Sequence, residues 1–333
     1  MKRLLVLTFL LIISPYLSAE DCIDCVKLEK GFKDLEEKVD GLKRAVSPDK
    51  LMHWSASRRD IVLTGCREEV LQLKEIEGYL NSLRKREYTT KIEGIKIKGS
   101  SPELIKAFED LLHKDGHMRE FEVDFSSKVP EDCDKVMCAA KGIFGKEIGP
   151  KLLYLKQKFG LNASEYVHMN SSRVKVNEID AFIKAASHLP PYLLPLDGNK
   201  KMTKFKRGYT LRGQSDSVLA NGTITFFDPW IKQNHEMKVY TAFHELSHYV
   251  AGEFNLDENP KWLEMSGWKK VGDEWRKEKD GVYSSGYATT NPWEDFAEAM
   301  SAYRFNPKIL KEASPEKYQY LKETVFQGLE YAN

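Results

Sequence analysis

Val239-Tyr240-Thr241-Ala242-Phe243-His244-Glu245-Leu246-Ser247-His248-Tyr249-Val250-Ala251-Gly252 is the stretch on which the reading of this chain turns. Phe243, Leu246, Tyr249 and Val250 give it apolar flanks at helical spacing, which predicts a buried helix closed by Gly252. Inside it lies His-Glu-x-x-His. Residues four apart stand one turn above each other, so His244 and His248 direct their imidazoles at one metal ion, with Glu245 projecting beside it. Zinc held by two histidines and a carboxylate keeps a fourth position for water, lowers the pKa of that water, and needs a nearby base for its proton. Glu245 is that base by position. The competing reading is a helix with two surface histidines, but the apolar flanks bury it, and unpaired buried histidines are costly.

A third ligand has to come from elsewhere. Gly286-Tyr287-Ala288-Thr289-Thr290-Asn291-Pro292-Trp293-Glu294-Asp295-Phe296-Ala297-Glu298-Ala299-Met300 supplies a second helix, with Asn291 as its cap and Pro292 as its first residue. Glu294 and Glu298 then share one face, so that one carboxylate can bind zinc while the other holds a ligating imidazole through its second nitrogen. Each residue has a plainer alternative. Asn291-x-x-Glu294 is also a capping-box spacing, Asp295 and Glu298 can be solvated charges, and Tyr287 can be a surface loop aromatic.

Together the two segments resemble the gluzincin metallopeptidases, most closely the branch containing the anthrax lethal factor catalytic domain and the secreted Pro-Pro endopeptidases. The resemblance implies that His244, His248 and Glu294 hold one zinc ion per chain and that Glu245 is the general base. It also implies that Tyr287, seven residues before the third ligand, points at the developing oxyanion, and that Glu298 supports a ligand. It is specific over about 239–303, continues weakly through Ser314-Pro315-Glu316-Lys317-Tyr318, and fades toward the amino terminus. The implied fold class is α+β, a zincin-like catalytic domain of twisted sheet plus active-site helices, preceded by a helical hairpin. The implied activity is hydrolysis of a peptide or protein substrate by a zinc-activated water.

On that resemblance the strand Leu219–Phe227, through Ala220, Asn221 and Gly222, is expected to be the sheet edge that pairs with an extended substrate. Asn221-Gly222 can equally mark a hairpin turn. The expected organisation is a signal peptide at 1–19, a helical hairpin region at 20–90 and a catalytic domain at 91–333 with its zinc-site core about 205–305. Lys2 and Arg3 precede an apolar run from Leu4 to Ile13 and a small-residue exit at Leu17-Ser18-Ala19, which predicts cleavage after Ala19 and export to a periplasm or the medium. Ten apolar residues are too few for a permanent span.

Heptad spacing from Leu28 to Val46 and a second helical pattern from about Ser57 to Arg86 make the hairpin, and the helices at 26–86 offer a surface for a helix-mediated contact. Lys91–Lys98 reads as a strand, 102–113, 131–144, 149–159 and 177–188 as helices, 189–195 as a connector, and Tyr209–Arg212 as a strand. Of Cys22, Cys25, Cys66, Cys133 and Cys138, the last two form the expected short-loop bridge. The chain has 333 residues and a formal net charge of +1, which gives no basic excess for nucleic acid. Two other readings stand beside the peptidase. One is an exported binding or adhesion protein that keeps a gluzincin shell, latent or inactive. The other is a redox module at Cys22 and Cys25.

Overall fold

The computed structural model describes residues 72–83, 88–99, 101–112, 124–163, 171–172, 174–193, 202–208, 217–220, 222–280 and 282–331. The expected signal peptide, most of the helical hairpin, Cys22, Cys25, Cys66, Tyr209–Arg212 and Asn221 lie outside them. The chain divides into two units, Met1–Ser82 and Leu83–Asn333. In the first, a helix covers 72–82, inside the second helical pattern.

The second unit is α+β, as expected at that coarse level. It opens with a hairpin, β1 (Tyr88–Ile92) and β2 (Ile95–Gly99). Where one strand was expected over Lys91–Lys98, two strands turn at Glu93-Gly94, both residues taking positive φ (48° and 80°). Helices α1 (Pro102–Leu112), α2 (Val136–Phe144) and α3 (Ile148–Phe159) follow. A disulfide joins Cys133 to Cys138, as the spacing predicts. Between these cysteines, the Asp134 carbonyl accepts the Lys98 amide of β2.

β3 (Ser171–Ser172), α4 (Val176–Ser187), β4 (Met202–Gly208), β5 (Ser217–Ala220) and β6 (Gly222–Phe226) complete a sheet of order β3-β4-β6-β5. β4 and β6 run parallel, and the other neighbours are antiparallel. The segment expected as one strand from Leu219 to Phe227 is thus a hairpin, with Ala220 opposite Thr223 across Asn221-Gly222. Its outer strand β5 is the sheet edge.

After α5 (Asp228–Lys232) comes α6 (His235–Phe254), the helix of His-Glu-x-x-His. It starts earlier than its apolar pattern suggests, at His235, because the Asn234 side chain accepts the Met237 amide and so caps it. It also runs past Gly252. Asn255, in the left-handed region at φ 52°, ends it. α6 packs between α4 and α8 (Pro292–Phe305), and β5 approaches it. Between α6 and α8 lie α7 (Pro260–Ser266) and a charged hairpin, β7 (Trp268–Val271) and β8 (Glu274–Lys277), which sequence periodicity did not reveal. Helices α9 (Pro307–Ala313) and α10 (Pro315–Tyr320) close the chain; Ser314 accepts the Lys317 amide at the start of the terminal helix expected there.

The core under the site is aromatic. Phe243 of α6 stands edge-to-face with Phe305 of α8 at 5.2 Å, and Trp262 of α7 with Phe296 of α8 at 4.9 Å. Phe243, Trp262 and Phe296 are fully buried, each contributing about 1.5–3 kcal/mol by burial, and Phe305 is half-buried against Phe243, so α8 is held at both ends of its inner face. Trp230, Trp262 and Trp268 belong to this core, whereas Trp293, one residue before Glu294, is 42% exposed. Among the described residues no helix is long and apolar enough to cross a membrane.

Candidate metal centre

Helical geometry delivers the ligand pair. His244 and His248 are one turn apart on α6, and their Nε2 atoms lie 3.2 Å apart. α8 brings the third group: Glu294 Oε2 is 3.1 Å from His244 Nε2 and 3.2 Å from His248 Nε2. Three atoms able to donate lone pairs therefore form a nearly equilateral triangle, the one group among the described residues that can hold a metal ion. Zinc bonds of about 2.0–2.2 Å in a tetrahedron imply ligand-to-ligand edges of about 3.3–3.6 Å. The observed triangle is only slightly tighter than one face of that tetrahedron.

The start of α8 decides what Glu294 is free to do. Asn291 Oδ1 accepts the Glu294 amide at 2.9 Å, so the asparagine caps the helix through the glutamate's backbone. The Glu294 carboxylate goes to the two histidines, and the reciprocal half of a capping box is given up to the site.

Glu298, one turn further along α8 and buried, takes the other side of the imidazole. His244 Nδ1 donates to Glu298 Oε1 at 2.8 Å. In a neutral ring that donation puts the hydrogen on Nδ1 and leaves the Nε2 lone pair facing the triangle. Ser285 Oγ donates to Glu298 Oε2 at 2.6 Å, and the Tyr240 hydroxyl lies 3.5 Å from both oxygens.

The electrostatics follow from crowding. Burial works against a charge on His244, but Glu294 and Glu298 outweigh it and raise its pKa to about 9. Burial likewise pushes Glu294 up, and the two histidines more than compensate, holding it well below the usual carboxylate range. Glu298 is lowered too, because the bonds from His244 and Ser285 overcome its burial. The metal-free cluster thus stores a proton where a cation fits.

Glu245 is buried beside His244 and acts electrostatically on both His244 and Tyr287. Tyr287 sits in a 3₁₀ turn, Tyr287–Thr289, with its ring 6.0 Å from that of His244 and its hydroxyl donating to Glu294 Oε1 at 3.2 Å. Burial, then the Glu294 carboxylate, push its phenol up to about 12. The phenol therefore stays protonated through neutral pH and can donate.

All six residues singled out at the ends of the two segments come together here: His244, Glu245, His248, Tyr287, Glu294 and Glu298. Of the expected substrate edge, Ala220 ends β5 and Gly222 begins β6, with Asn221 outside the described residues. Two partners escaped the sequence reading, Ser285 and Tyr240. Ser285-x-x-Ala288 has the spacing of a local cap, the one signal that could have found it. Asp295, for which a solvated charge was the plainer alternative, is fully buried, with Lys317 Nζ at 2.6 and 2.8 Å and Trp268 Nε1 at 3.0 Å. His113 and His117 lie outside the described residues. Comparison with known proteins found no matching family model and no match among curated proteins or solved structures.

Proposed function

We propose that the chain is an exported zinc endopeptidase of the gluzincin kind, its second unit a zincin-like catalytic domain. The observation that carries this is the triangle of His244 Nε2, His248 Nε2 and Glu294 Oε2, with edges of 3.1–3.2 Å and a tautomer set from behind by Glu298. Two imidazoles and a carboxylate suit zinc and keep a fourth position open. When bound, zinc supplies Lewis-acid polarisation of a water and of a peptide carbonyl.

The chain's own groups do the rest. Glu245 takes a proton as water adds to the scissile carbonyl and delivers it to the departing amine, so that one peptide bond and one water become a carboxylic acid and an amine. The Tyr287 hydroxyl, kept protonated, donates to the oxygen on which charge develops. Glu298 keeps His244 in the tautomer that ligates. β5, an edge of the sheet among the described residues and near α6, offers its outer main chain to an extended substrate. Export rests on the charged and apolar pattern of the first nineteen residues.

The test is metal content by mass spectrometry of the purified chain, alongside Glu245→Gln, with both assayed on an unbiased peptide library. One zinc per chain, with cleavage lost only in the variant, is the expected result. Cleavage retained in Glu245→Gln, or a chain that takes no zinc, overturns the proposal.

A further inference from the structure

The contacts around His244 form a closed ring. Tyr287 donates to Glu294 Oε1, Glu294 Oε2 meets His244 Nε2, His244 Nδ1 donates to Glu298 Oε1, and Ser285 Oγ donates to Glu298 Oε2. The same Ser285 oxygen accepts the amide of Ala288, the residue after Tyr287, at 3.1 Å. With its single hydrogen committed to Glu298, Ser285 has only lone pairs left for Ala288, so every hydrogen in this part of the ring is assigned. The ring returns to Tyr287 through one peptide. Ala288 is fully buried while Tyr287 is 52% exposed, so the turn has a fixed foot and a projecting ring.

We infer that Ser285 is a positioning residue that ties the turn bearing Tyr287 to the carboxylate orienting His244, so that the tyrosine hydroxyl and the ligating imidazole are placed by one shared group. The role of that turn rests on the metallopeptidase reading; the tie itself does not. The Ser285 hydroxyl bonds to Glu298 and the Ala288 amide and not to the three ligands. Its effect passes through Glu298 on one side and the Ala288 amide on the other. Removing its hydroxyl frees the turn and leaves all three ligands in place. Tyr287 then keeps its bond to Glu294 but loses the tie that fixes its turn to Glu298.

The experiment places 3-fluorotyrosine at position 287 and reads its ¹⁹F line with and without one equivalent of zinc, in the wild-type chain, Ser285→Ala and Ser285→Thr. In the wild type the line stands away from its unfolded position and moves on zinc addition. Ser285→Ala, still folded by circular dichroism and still binding one zinc, brings the line toward the unfolded position and loses most of the zinc response. Ser285→Thr, which keeps a hydroxyl, restores both. A Ser285→Ala line that matches the wild type overturns the inference, whatever the chain cleaves.

Turnover gives a second reading. Ser285→Ala lowers kcat by about 10- to 100-fold with KM little changed, and adding it to Tyr287→Phe costs much less than the product of the two single losses, because the Ala288 arm of its effect passes through the tyrosine. Losses that multiply in the double variant overturn the inference. If zinc binds and no peptide is cut, the endopeptidase proposal falls, while the ¹⁹F line still judges Ser285.

Discussion

Glu294 and Asp295 are neighbours on α8, yet their carboxylates live in different chemistry. Glu294 faces two imidazoles and keeps about a fifth of its side-chain surface exposed. Asp295 points the other way, with no exposure, and meets Lys317 and the Trp268 indole. Burial pushes the Asp295 carboxyl up and the Lys317 amine down, against their mutual attraction. A single residue step, about 100° around the helix axis, therefore separates an acid kept available for a cation from an acid spent on holding the helix to the carboxyl-terminal segment. The front face carries chemistry and the back face carries position.

Glu294→Ala tests the front with the largest effect. Cleavage should fall on the order of a thousandfold or more and bound zinc should be lost, while the metal-free chain, deprived of the pairing with His244 and His248, stays folded but melts at a lower temperature. Unfolding of this variant at room temperature would mean the front also holds the fold. Lys317→Ala tests the back: leaving Asp295 buried without its cation should cost about 3–5 kcal/mol in chemical denaturation, with zinc stoichiometry unchanged in the folded fraction. A loss of zinc larger than the loss of folded protein would join the two faces into one unit. Glu298→Ala lies between, and should weaken zinc binding by about 10- to 100-fold, read by competition with a chelating dye.

The smallest effect is a titration. In the metal-free chain the His244 signal should move near pH 9, raised by Glu294 and Glu298 against its burial, and that of His188 near pH 4, lowered by burial between Phe243 and Phe305 and by Arg304. The signs are opposite. The raised His244 stabilises the metal-free fold fully below about 6.5 and less as pH rises through 9, whereas the contribution of the depressed His188 is complete above 6.5 and is lost as pH falls through 4. Zinc should abolish the first titration in an NMR pH series and leave the second. Persistence of the pH 9 step with zinc present would place the ion elsewhere.

What was legible in the sequence was what is local. Two histidines one turn apart, and a capping asparagine followed by proline, state their geometry within a few residues, so both helices of the site were anticipated. The carboxylate of Glu294 was ambiguous because the same spacing serves a cap, and only the approach of α6 from 50 residues away resolves it. Ser285 and Tyr240 meet Glu298 through folding alone, and Asp295 finds Lys317 across 22 residues with no pattern joining them. The hairpin of β7 and β8 was missed for another reason. Its strands, Trp268-Lys269-Lys270-Val271 and Glu274-Trp275-Arg276-Lys277, lack the alternation that marks a half-buried strand.

The acids of α8 also show how one helix divides its charge between two neighbours. Glu294 and Glu298 are like charges four residues apart, an arrangement that disfavours an isolated helix by a few tenths of a kcal/mol, while the place of Glu294 and Asp295 in the first turn favours it. In the folded chain the imidazoles of α6 meet Glu294 and Glu298, and the amine of Lys317 meets Asp295. Charges that local sequence sets against each other are thus neutralised by different partners, and a change at either partner leaves the other's share of the helix intact.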